Sequence, residues 1–72
     1  MTTLVTVTQK AGCFIASSNG IISRSSKTAL AAVKKTALKR ALGMRCPSLN
    51  YFEDSDIKIT QLGINAWLVE HS

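Results

Sequence analysis

Acidic residues are scarce in this chain: four Asp and Glu stand against nine Lys and Arg among 72 residues, a formal net charge of +5. His, Trp, Tyr and Pro occur once each. The single histidine, His71, sits one residue from the last, which removes any Ser–His–acid or Cys–His arrangement from consideration. Neither of the glycine-rich loops that cradle phosphate is present. Glu53, Asp54 and Asp56 cluster without a partner base and read as a solvated acidic loop, not as a Mg²⁺ site or an acid–base pair. One disulfide between Cys13 and Cys46 is arithmetically possible. Without a secretion signal both are expected to be reduced, small buried hydrophobes, with no metal role and no activated thiol. No enzyme activity, cofactor or metal is therefore expected. No apolar run approaches the roughly 18 residues of a membrane span. The opening Met-Thr-Thr lacks the basic start and apolar stretch of a signal peptide, so the expected location is cytoplasmic and off the membrane.

The length suits a single domain over 1–72, too small for a deep substrate cavity. Residues 3–9, T-L-V-T-V-T-Q, are β-branched and roughly alternating, as a strand requires. A turn over 9–12 leads to a second strand over 13–17. Asn19-Gly20 is the strongest hairpin signal in the chain, because both residues tolerate positive φ. Residues 21–23 are then either a short third strand or the lead-in to a helix. Residues 56–62, D-I-K-I-T-Q-L, alternate with Ile57 and Ile59 on one face, and Gly63 turns the chain into a last strand over 65–70. Phe14 and Trp67 are expected in the core, and Phe52 or Leu49 is expected to plug the open end of it.

Residues 27–42 contain no Gly or Pro and are rich in Ala, Leu, Lys and Arg, which predicts a helix. Ser23, Ser25 and Ser26 offer N-cap oxygens, Gly43 fits the left-handed C′ position, and Pro47 forbids continuation. Lys39 and Arg40 occupy the last turn, where the helix dipole favours cations. At about 100° per residue, Ala29, Leu30, Val33, Ala37 and Ala41 share the core face, while Thr28, Lys35, Thr36 and Lys39 share the opposite one. Lys27 and Lys34 flank the apolar arc and are expected to snorkel. The resulting class is α+β: an antiparallel sheet of four to five strands with one helix across one face, in the order β-β-(β)-α-β-β. Strands at both chain ends are compatible with their pairing in the sheet.

The helix S-S-K-T-A-L-A-A-V-K-K over 25–35 and the ending I-K-I-T-Q-L-G-I-N-A-W-L-V-E over 57–70, with the size and element order, resemble small phage-encoded inhibitors. The family in question is the anti-CRISPR proteins directed at type I-F surveillance complexes. What the resemblance implies is a non-catalytic blocker that occupies a guide or target-DNA channel in a host complex. It supplies no residue-by-residue motif. Charge and position alone nominate Lys27, Lys34, Lys35, Lys39 and Arg40 as partner-binding residues. The expected partner is a host protein or nucleoprotein complex. The alternative is a sequence-tolerant nucleic-acid-binding protein that sets the same residues on phosphates. Either a monomer or a homodimer fits. Lys35 and Lys39 are expected to face solvent, so their charge reversal is expected to spare the fold.

Overall fold

Two tight turns set the register of the N-terminal half. β1 (Thr2–Lys10) returns through Ala11-Gly12 into β2 (Cys13–Ser18), which returns through Asn19-Gly20 into β3 (Ile21–Ser25). Both central residues of each turn have positive φ, 53° and 78° in the first and 49° and 85° in the second. This is the mirror-image turn whose twist matches that of flanking strands. Lys10 pairs with Cys13 and Ser18 with Ile21, closing both two-residue loops. Residues 21–25 are thus a full strand. The coordinates are a computed structural model that describes residues 2–43, 45, 52 and 56–71.

α1 (Ala29–Leu42) follows, then β4 (Ile57–Gln61) and β5 (Ala66–His71). All strand pairings are antiparallel, in the spatial order β3-β2-β1-β5-β4. The strands at the two ends of the chain are neighbours, with Thr3 opposite Val69 and Val5 opposite Trp67. The fold is α+β, one five-stranded antiparallel sheet with one helix across it. The period-2 pattern puts Thr3, Val5, Val7, Ala16, Ser18, Ser23, Ser25, Ile57 and Val69 on the buried side.

The helix begins later than the serines suggest. Thr28 is the N-cap, in an extended conformation, and its Oγ1 accepts from the Ala31 N–H at 3.0 Å. Ser25 instead accepts from the Lys27 N–H. Gly43 takes the expected left-handed conformation, φ 68°. The buried face comprises Ala32, Val33, Thr36, Ala37 and Leu38. This corrects two expectations: Leu30 is partly exposed, and Thr36 is fully buried. Thr36 can be buried because its hydroxyl donates back to the Ala32 carbonyl at 3.1 Å, leaving a methyl group for the core.

Small residues on β2 and β3, Ala16, Ser18, Ser23 and Ser25, are all buried under the helix. Their size lets the helix backbone lie close over this half of the sheet, where α1 makes its main contacts. Val5, Val7, Val33, Leu38, Ile57 and Val69 form the centre of the core, with Phe14, Phe52, Ile59 and Trp67 partly buried around it. Phe52, one of the two residues expected over the open end, packs against the core. Leu49, Cys46, Glu53 and Asp54 lie outside the described residues. Cys13 is a free thiol, half-exposed at the first hairpin and not in the core. Among the described residues no helix is long and apolar enough to cross a membrane.

Candidate anion-binding edge

The functional candidates follow from the way α1 lies along β3. The helix runs back over the strand, so Lys39 reaches its start and Lys35 its end. The Lys39 ammonium donates to the Ile22 carbonyl at 2.8 Å, and the Lys35 ammonium donates to the Arg24 carbonyl at 3.2 Å. The spacing explains the match. Four residues of helix advance about 6 Å, and two residues of strand advance about 6.6 Å. An i, i+4 lysine pair therefore lands on alternate carbonyls of the strand below.

β3 is an edge strand, paired on one side with β2 alone. In the β2–β3 register Ser23 faces Ala16, and Ile22 and Arg24 turn their backbone groups outward to the lysines. Lys35 and Lys39 are thus half-buried edge caps rather than the free solvent-facing residues expected from helix periodicity. The helical wheel placed them correctly away from the sheet's centre. It contained no information that the helix would sit over the sheet margin.

The other three candidates do not converge on this edge in the same way. Lys27 is exposed ahead of the N-cap, beyond the Ser25 end of β3. The Lys34 ammonium lies 5.0 Å from the centre of the Phe52 ring, a cation–π contact that its flanking position on the helix anticipates. Arg40 points to β1, where its Nε donates to the Thr3 hydroxyl at 3.4 Å. So Lys39 and Lys35 lie along β3 and Lys27 follows just past its end, while Lys34 and Arg40 occupy separate parts of the helix surface.

Sequence reasoning missed the contribution of Arg24. Its side chain is exposed on the sheet face opposite the helix, because it pairs with Ile15 across from Thr8. There it joins Lys10, Cys13 and Ile15 around an open cleft of about 220 Å³. The Asn-Gly register could have placed it: four residues beyond Gly20, the alternation of β3 sends Arg24 to the outer face. The β3 margin is consequently cationic from both faces of the sheet. The described acids lie in the other half of the sheet, Glu70 on β5 opposite Lys58, and Asp56 just before β4. Among the described residues no cluster of His, Cys, Asp and Glu could hold a metal ion.

Comparison of the chain with protein-family models, with curated proteins and with solved structures finds no match.

Proposed function

We propose that this protein is a non-catalytic binding protein that presses the basic β3–α1 margin against an anionic macromolecular surface. The observation that carries the reading is the ordering of Lys35 and Lys39 on the β3 edge. Each ammonium spends one N–H on a carbonyl and keeps its charge and two further donors for an external anion. Arg24 and Lys27 extend the same margin, and the separation of Asp56 and Glu70 to the far side favours an oriented encounter. In the form that the anti-CRISPR resemblance implies, the surface belongs to a host protein or nucleoprotein complex whose nucleic-acid binding is blocked. The second reading is direct, sequence-tolerant binding of nucleic acid by the same margin. It is favoured by the absence of described acids beside it.

Gel-shift titration at about 50 and 200 mM salt, run beside affinity capture from host extract, separates these readings. Capture of a defined complex without a shift of free DNA supports the inhibitor. A salt-sensitive shift of free DNA supports the second reading. Either interaction should weaken at least about tenfold when Lys27, Lys35 and Lys39 are all replaced by Gln. An interaction indifferent to that replacement contradicts both.

A further inference from the structure

The structure points to the partner's form as well as its charge. We propose that the β3 edge is a gated strand-addition site for an extended acidic segment of a protein partner. The inference rests on the reading of the β3–α1 margin as the binding surface.

Ile22 and Arg24 direct both their N–H and their C=O outward, since a residue in an antiparallel strand turns both groups to the same side. Lysine carries donors only, so Lys39 and Lys35 satisfy the two carbonyls and leave the two N–H groups to solvent. An added strand satisfies all four. Its own N–H groups replace the ammoniums on the Ile22 and Arg24 carbonyls, and its carbonyls accept from the free N–H groups. The displaced lysines then turn to water or, with a further gain, to anions within reach of the edge on the helix side. Alternate residues of the added strand stand there about 6.6 Å apart, the same repeat that separates the two lysines. A segment with Glu or Asp at alternate positions supplies both the main-chain bonds and the counter-charges. A neutral segment would return both ammoniums to water with no counter-charge gained, and a basic one would add repulsion. A second copy of β3 is disfavoured for the same reason, because it would set two lysine pairs against each other. The gate therefore admits acidic strands and rejects self-pairing.

The test uses the full chain, labelled with ¹⁵N, and three probes: a short peptide alternating Glu and Thr, its Gln-for-Glu counterpart, and a single-stranded oligonucleotide. The Glu peptide is expected to slow hydrogen exchange at the Ile22 and Arg24 amides by about tenfold or more, leaving β4 amides unchanged. The Gln peptide is expected to bind at least about tenfold more weakly, and salt to narrow that gap. Replacing Lys35 and Lys39 by Gln is expected to abolish the preference. Equal binding of the two peptides in the wild-type chain overturns the proposal, as does Glu-peptide binding without protection of Ile22 and Arg24. An oligonucleotide that binds through the lysines while the peptide does not bind also overturns strand addition, yet leaves the basic margin as a binding surface. Loss of every anionic interaction, including lysine-dependent capture, overturns that underlying reading too.

Discussion

At one margin of the sheet, β3 lies beneath α1 and has the Ile22 and Arg24 carbonyls covered by Lys39 and Lys35. At the other, β4 pairs with β5 and is joined to the core through Ile57 and Ile59. The first margin is basic on both faces of the sheet. The second carries mixed charge, with Asp56, Lys58 and Glu70. A single helix cannot cover five strands evenly. Its contacts fall mainly on β2 and β3, where Ser and Ala admit it closely, and the cover over β4 must come from elsewhere. One edge is thus capped by polar contacts that a charged ligand can exchange. The other is held by apolar contacts that it cannot.

The comparison can be broken most forcefully in the core. Leu38 is fully buried, and Leu38→Ala should cost about 3 kcal/mol in denaturant unfolding, lowering the global stability on which both margins draw. Phe52→Ala should act more locally. It removes a half-buried ring and the Lys34 contact, costing about 1–2 kcal/mol, and hydrogen exchange should accelerate in α1 around Lys34 before β3. Charge reversal at Lys35 and Lys39 should act on the β3 margin. A carboxylate there would face the Ile22 and Arg24 carbonyls, acceptor against acceptor, for a loss of about 1–2 kcal/mol and faster exchange at β3. The carbonyl partners remove the ground on which such a reversal was expected to spare the fold, and they make Gln the better replacement for binding studies. The smallest effect is a gain. Ala11 holds φ 53° without glycine's freedom, so Ala11→Gly should add about 0.5–1 kcal/mol, read as a rise in Tm, and affect neither margin.

Much of the fold is legible in the residues because local rules and tertiary structure agree. Asn19-Gly20 selects its turn by conformation, Gly43 ends the helix by the same property, and Ile57 and Ile59 alternate as a half-buried strand must. The misreadings on α1 share a cause, the lateral position of the helix. Periodicity ranks the faces of α1 but does not say which strands lie beneath it. Periodicity therefore sends Thr36 to solvent although its hydroxyl closes on Ala32, and sends Lys35 and Lys39 there although β3 offers them carbonyls. The N-cap moved from the serines to Thr28 because Ser23 and Ser25 are committed to β3. At the candidate site, charge alone found the lysines. It could not distinguish those that share an edge from Lys34 and Arg40, whose partners are Phe52 and Thr3.

The most direct measurement is quantitative capture of the macromolecular partner by the wild-type chain and by the chain with Gln at positions 27, 35 and 39. Thermal melts should establish that both are folded. A fall of at least about tenfold in recovery, mirrored by added salt in the wild type, is the expected result. Equal recovery by two folded chains would contradict the account, because an interaction unmoved by the loss of those cations does not run through the β3 margin.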